Sequence, residues 1–572
     1  MRGEAKQPKT LLKFWKEMVK PVISHQKNNL SRFAAQDIDH LGLVAGMCKE
    51  LDIAGIIDRE AGTQAHNKKI SFGKAVVCMI LNGLGFVSRT LYMYSEYFDE
   101  KPLNHLLGTK DLRPEQIDDN LLGRALDKLF DLNVTNLFTK IALKAVKTLG
   151  IKVKSLHLDS TSFHVDGEYR SSLEQGESCI KLVPGYSRDH RPDLNQAVLN
   201  LMASNQGNLP LYMQAASGNS TDKTVFPEII KKHIASFQAV VKNKHFVGDS
   251  ALYTPSSLCL LQQNKALFVT RVPAVHKKVK EIIFSTNKDE LVEIGEGYFA
   301  KEVKSNYGDV EQRWVIIFSQ AAHEKECRTF KKTVKKGTQK EQKEIWHLQN
   351  QEFSCKNDAK KALNKCKVKL KYIAVNEFQI VEHKKHKAPG RPKKEAQAKG
   401  SVYKISCQTT ADLQKIAEQE SRKGYFILST NDLNYEKFPP QEVLQTYKAQ
   451  QSVERGFRFL KSPDFLVSSF YLKKPERIEA LLMVMTLCLL VYAAIEYKTR
   501  CQLKTLNLYF LDQKKRPYQN PTTRWIFFCF LSLHMLMFEG DNIRVGNLKE
   551  RHRIILSSLG PPYEYFYYAE RW

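Results

Sequence analysis

The sequence predicts an α/β protein: a mixed-sheet core interrupted by a β-rich insertion, with an N-terminal helical domain before it and a helical C-terminal tail after it. Three observations carry that expectation. Up to about residue 150, apolar residues recur at helical spacing, as in LGLVAGMCKELDIAGIID and GKAVVCMILNGLGF. From Ile151 the texture turns to short alternating runs and turn dipeptides, beginning VKSLHLDSTSFHVDG. Between about 281 and 437 strand-like pieces alternate with long lysine-rich helical ones. A chain of 572 residues is too long for one core. The expected division is a helical domain over 1–150, the first part of the core over 151–280, and the insertion with its basic helical segment over 281–437. The last part of the core then occupies 438–500 and the tail 501–572.

Taken in order, IDDNLLGRALDKLFDL places acidic residues before an amphipathic run, a helix-start pattern. Lys68, Lys69, Lys74 and Arg89 are cations of this first region that could touch DNA, although a solvated face explains them better. After Ile151, three runs read as antiparallel strands that feed a helix beginning near Thr221 or Asp222. KHFVG is a fourth strand, and TPSSLCLLQQNKALFVTRVP supplies a helix and a fifth. Strand-strand-strand-helix-strand-helix-strand is the order of an RNase H-like core, in which acidic residues collect at one end of a mixed sheet. Beyond the insertion, GYFILSTND restores the last strand of that core.

The run Pro440 to Lys461 reads as a single helix. Val443, Leu444, Val453, Phe457 and Leu460 form its apolar stripe, and Tyr447, Gln450, Glu454 and Lys461 recur along another. Ile478 to Tyr497 is apolar for most of its length, but Glu479 and Glu496 bracket a stretch slightly short for a spanning helix. It is expected to be a buried helix, with no membrane partner. A helical tail with a tyrosine-rich ending, PPYEYFYY, follows.

The 88 Lys and Arg against 61 Asp and Glu leave a formal charge of +27. A surplus of that size favours a polyanionic partner, because each cation set near a phosphate releases a condensed counterion. The eleven cysteines form no C-x-x-C pair, which argues against a disulfide framework or structural zinc and for a reducing compartment. The first twenty residues have charges in every apolar run and no signal-peptide core.

The chemistry rests on three acids. Asp159 and Asp249 each follow a predicted strand, and Glu454 lies on the late helix. Three such carboxylates can converge on a pair of divalent cations, since hard cations take oxygen ligands and bridge phosphate oxygens. Other groups compete for these roles. His157 and His164 flank Asp159 and read as structural; Asp166 precedes Gly167, a turn signature; Asp222 is better explained as a helix cap; Asp189 and Asp193 lie in a proline-containing loop. Within the insertion, HKKHKAPGRPKKEAQAKG resembles an AT-hook, whose Gly-Arg-Pro centre would lay Arg391 into a narrow minor groove, and a flexible basic linker explains it at least as well; either would contact phosphate.

The segments LHLDSTSFHVDG, GYSRDHRPDLNQ, GDSALYT, FVTRVP and YKAQQSVERGFRFLKSP together resemble bacterial insertion-sequence transposases of the DDE class, in the group with a β-strand insertion before the glutamate. The likeness runs from about Asp37 to the C-terminus. That group carries Tyr, two residues, Arg, three residues, Glu, six residues, Lys. Tyr447, Glu454 and Lys461 match, while Gln450 stands where the arginine belongs, and Arg455 or Arg458 are the candidates to supply the missing charge. The resemblance implies that Asp159, Asp249 and Glu454 hold magnesium or manganese, two ions, for cleavage and strand transfer at transposon ends. It implies that Tyr447 and Lys461 hold the DNA backbone, and that a homodimer or larger assembly acts on double-stranded DNA in the bacterial cytoplasm, at the nucleoid. Gln450 can still hydrogen-bond a phosphate without supplying charge, and Arg271, just past a predicted strand, is a further phosphate candidate that a structural salt bridge explains equally well. The second reading is a domesticated or inactive relative acting as a nuclease or DNA-binding protein.

Overall fold

The computed structural model describes residues 34–62, 70–86, 93–165, 179–187, 191–240, 245–385, 400–462, 472–538 and 542–568. A short strand β1 (Ala34–Asp37) opens the described chain. Seven helices follow: α1 (Leu41–Glu50), α2 (Ile53–Ala61), α3 (Phe72–Leu84), α4 (Tyr94–Asp99), α5 (Leu103–Leu107), α6 (Asp119–Asp131) and α7 (Val134–Thr148). Ser71, Asp118 and Asn133 cap three of them, each side chain accepting an otherwise orphaned backbone N–H. α1, α3, α6 and α7 pack against one long late helix, Pro475–Thr505.

The central sheet has nine strands. β2 (Ser155–Val165), β3 (Asn195–Ser204) and β4 (Pro210–Ser217) run antiparallel to one another. Helix α8 (Asp222–Val240) crosses to β5 (His245–Gly248), which pairs parallel with β2, and α9 (Pro255–Gln263) crosses to β6 (Leu267–Arg271), parallel with β5. After α10 (Lys277–Ser285), β7 (Val292–Gly295), β8 (Tyr298–Tyr307) and β9 (Val310–Ser319) form a meander. A long excursion comes next: α11 (Gln320–Asn350), α12 (Lys356–Lys369), the hairpin β10 (Ile373–Lys385) and β11 (Gly400–Ala411), and α13 (Leu413–Ser421). β12 (Tyr425–Thr430) then inserts between β6 and β9, antiparallel to both. The order across the sheet is β4-β3-β2-β5-β6-β12-β9-β8-β7. The meander of the interrupting segment thus extends the central sheet, while the hairpin with α11 and α12 builds small cores of its own around Phe353, Leu363, Ile405, Ile345 and Ile373.

Two expectations need correction. The run Pro440 to Lys461 is not one helix but two, α14 (Pro440–Lys448) and α15 (Gln451–Leu460). At the junction the hydrogen bonds tighten to i−3, from Gln450 N to Tyr447 O and from Val453 N to Gln450 O, so the i−4 ladder is broken although the backbone stays right-handed helical. The tail is not wholly helical: besides α17 (Thr523–Phe530), α18 (Glu550–Leu559) and α19 (Pro561–Glu564) it holds β13 (His534–Phe538) and β14 (Asn542–Val545). β13 pairs with β1 from the other end of the chain, which no local periodicity announces.

Helix α16 (Pro475–Thr505) is the centre of the helical layer, packing on α6, α3, α1, α7 and β4. It is the one helix among the described residues long and apolar enough to cross a membrane, and 89% of its apolar window is buried inside the fold. All eleven cysteines are free.

Near the start of α16, Glu479 sits beside Glu476, and burial first, then the neighbouring carboxylate, push its pKa up to about 7 against a backbone hydrogen bond from Ile180. A carboxyl raised in the folded state stabilises the fold below its ordinary value, 4.5, and that contribution is lost as pH rises through 7. Glu479→Gln is therefore expected to leave stability unchanged at about pH 4 and to raise it by about 3 kcal/mol at about pH 8. Urea unfolding at the two pH values checks this; equal shifts at both would rule out ionisation as the cause.

Candidate active site

The strand register sets the geometry. The β2–β5 ladder ends with Leu158 opposite Gly248, and the β5–β6 ladder with Gly248 opposite Thr270. The next residues, Asp159, Asp249 and Arg271, therefore occupy equivalent positions on three neighbouring parallel strands, which lie about 4.8 Å apart. β2 itself continues through Asp159 to Val165, so Asp159 marks the end of the parallel ladder and not, as its sequence suggests, the end of the strand.

Local bonds fix these side chains. Asp159 Oδ1 accepts from Ser160 N at 2.8 Å, and Asp249 Oδ1 accepts from Ala251 N at 2.9 Å, an Asx-type turn. Thr270 donates its hydroxyl to the Asp249 carbonyl at 2.7 Å, which ties the two strand ends together. Glu454 comes from α15, whose Val453, Phe457 and Leu460 are buried while Glu454, Arg455 and Arg458 stay exposed. Gly456 lets α15 approach α16: a Cβ built there would lie 3.0 Å from Leu489.

Asp159, Asp249 and Glu454 all line one cleft of about 410 Å³, together with Tyr447, Gln450, Gln451, Lys448, Leu444, Phe426, Tyr298, Ser319 and Ala322. Burial raises the pKa of Tyr447; the positive charge of Arg271 opposes the rise, and the negative charges of Asp249 and Glu454 add to it. The Arg271 guanidinium also stacks 5.4 Å from the Phe426 ring centroid. Gln450 is buried, and its Oε1 has no hydrogen-bond partner. Lys461 follows α15 and lies 5.6 Å over the Phe163 ring of β2. Arg455 and Arg458 do not line the cleft.

The donor set fits a hard divalent cation in kind: carboxylate oxygens with an unpartnered amide oxygen beside them. Among the described residues no three His, Cys, Asp or Glu side chains are close enough together to ligate one ion, so the acids stand apart across the cleft.

The remaining sequence candidates take structural places. His157 is buried, its Nε2 is 2.8 Å from Ser155 Oγ, and burial lowers its pKa to about 4. Asp222, expected to act as a cap, lies in the first turn of α8 and accepts the hydroxyl of Ser160, the neighbour of Asp159. Asp193 pairs with Arg191, and Lys74 donates to the Gly108 carbonyl. Arg391, Asp166, Asp189, Lys68, Lys69 and Arg89 lie outside the described residues.

Sequence reasoning missed one wall of the cleft. Tyr298 opens β8, Ser319 ends β9 and caps α11, and Lys448 ends α14. Lys448 Nζ stands 3.5 Å from the Tyr298 ring centroid, and its hydrogen bond draws the phenol below its usual range. Only the adjacency of Lys448 to Tyr447 hinted at this.

Residues 156–491 match the family described as Transposase DDE domain, and residues 33–143 match a domain of unknown function, DUF4277. The chain belongs to the DDE transposase family. It is a DNA transposase, an enzyme that uses divalent metal ions to cleave and join DNA; all three acids fall inside the matched span, and the reading as an inactive relative is not favoured. No curated protein matches. Among solved structures, a piggyBac transposase in a synaptic complex with hairpin DNA has 9% identity and a TM-score of 0.37, covering 88% of this chain and 83% of that one.

Tyr447→Phe removes the part-buried hydroxyl that lies within reach of the charges of Arg271, Asp249 and Glu454. The variant is expected to lose about 1 kcal/mol of stability and about tenfold in cleavage, with DNA affinity unchanged. Gel-shift and cleavage assays on the same DNA separate these effects; full cleavage activity would remove Tyr447 from the positioning of the backbone.

Proposed function

We propose that this chain is the transposase of a bacterial insertion sequence, with an RNase H-like core in which Asp159, Asp249 and Glu454 hold two magnesium or manganese ions. The observation that carries the reading is the register that brings Asp159 and Asp249 to equivalent positions on adjacent parallel strands, with Glu454 lining the same cleft. Bound there, the ions would acidify the attacking water or DNA 3′-hydroxyl and stabilise the leaving oxygen of an in-line displacement.

The chain's own groups do the rest. Tyr447 and Arg271, whose charge acts on the phenol, present a hydroxyl and a guanidinium to the DNA backbone, a positioning role. Arg271 supplies beside Tyr447 the positive charge that Gln450 lacks, in place of Arg455 or Arg458. Gln450 offers an amide to a phosphate or a water, and Lys461 adds a cation next to β2. Arg455 and Arg458, outside the cleft, are further contacts to the duplex, and Arg391 is a contact to its minor groove. The division at 150, 280, 437 and 500 separates the flanking domains from this core. The protein works as a homodimer or larger assembly holding paired DNA ends, in the cytoplasm at the nucleoid.

The test is strand cleavage of labelled duplexes taken from the DNA flanking the reading frame. Cleavage at a terminal repeat with magnesium or manganese, abolished by chelation and restored by adding the ion back, is the expected result. Duplex binding with no cleavage under any divalent ion would defeat the proposal.

A further inference from the structure

We propose that the outward face of α11 is a track for duplex DNA leaving the cleft. The helix starts at the cleft wall: Ser319, its cap, and Ala322, in its first turn, both line the cavity. From there it runs 31 residues, about 46 Å.

Along it, Lys325, Arg328, Lys332, Lys335, Lys336 and Lys343 are all exposed. At about 100° per residue they fall within an arc of roughly 100° over about 27 Å of axis. The buried residues Cys327, Phe330, Glu341 and Ile345 lie on nearly the opposite side, so this stripe points away from the supporting hairpin. Its single sign is the telling feature. Of the four glutamates on the helix, Glu341 accepts the N–H groups of Lys371, Tyr372 and Ile373, and Glu326 accepts that of Gly424. Glu344 faces Lys340 at 4.0 Å, and only Glu324 borders the stripe. Among the described residues no ion pair joins any of the six cations to a carboxylate.

A solvated helix face ordinarily mixes charges along i,i+4 rows. A row of like charges repels itself and is relieved by a polyanion whose own charges recur along a line, as the phosphates of a duplex do. Lys343 lies 24 residues beyond Ser319, about 36 Å, which at 3.4 Å per step is roughly ten base pairs of duplex. The inference rests on the transposase reading in one respect: that DNA occupies the cleft.

The experiment uses the full chain and mixed-sequence duplexes of 8 and 24 base pairs, binding measured against salt. Wild type is expected to bind the longer duplex at least about tenfold more tightly. A variant with all six cations changed to Gln is expected to lose that preference and to reduce the salt slope on the long duplex by up to about 5. The same positions changed to Arg are expected to keep both, which separates charge from folding. An unchanged slope and preference in the Gln variant overturns the proposal, as does loss of binding to phosphatidylserine vesicles with DNA binding intact. Cleavage of end-repeat DNA is assayed in parallel. Stripe effects without cleavage by wild type leave the track standing and count against the catalytic reading alone.

Discussion

Asp159→Asn, Asp249→Asn and Glu454→Gln are each expected to reduce metal-dependent strand cleavage by on the order of 10³-fold or more, equivalent to about 4 kcal/mol of transition-state stabilisation. The amides keep shape and a carbonyl oxygen, so the bonds from Ser160 N and Ala251 N persist and the fold is retained. What they remove is charge. Neutralising an acid in a cleft that receives phosphates also relieves repulsion, so duplex affinity measured without metal is expected to hold or rise. The three acids are expected to act as a unit, so that the triple variant falls little below the worst single one. Cleavage retained within tenfold in Glu454→Gln, while both aspartate variants are dead, would take α15 out of the chemistry and leave the strand-end pair.

How much of this site could be read in advance depended on how local its causes are. Asp159, Asp249 and Arg271 were legible because each follows a short apolar run, and the parallel register then aligned them without help from distant residues. Glu454 and Tyr447 were legible from helical spacing, yet the tightened turn at Gln450 was not, since both halves share one apolar stripe across it. Tyr298, Ser319 and Lys448 were invisible for a different reason. They meet only because β12 inserts beside β6 and brings β9 and β8 with it, a pairing set across more than a hundred residues of intervening chain. The pairing of Ala34–Asp37 with His534–Phe538 is the extreme case: two strands too short to signal alone, joined from opposite ends of the sequence.

The same long-range assembly makes Arg313 the residue whose loss should cost the fold most. It lies on β9 fully buried, with Nε donating to the Asp432 carbonyl, Nη2 to the Phe438 carbonyl, and Nη1 to Glu302, at 2.7, 2.7 and 2.8 Å. Its guanidinium also sits 4.6 Å from the Tyr435 ring centroid. Asp432, Tyr435 and Phe438 belong to the loop from β12 to α14, which His245 also holds by stacking on Phe438 and bonding Asp432. The loop aims α14, and with it Tyr447, at the cleft. Arg313→Met would strand two carbonyls and Glu302, whose pKa burial already raises against the pull of Arg313. The expected destabilisation is roughly 3–5 kcal/mol by urea unfolding. Arg313→Lys should recover little of it, because an ammonium cannot reach three acceptors in a planar fork. Adding Glu302→Gln to Arg313→Met should return part of the loss by removing the stranded charge. A loss under about 1 kcal/mol in Arg313→Met would mean that the loop is held by His245 and apolar packing, and that the arginine is dispensable to the cleft.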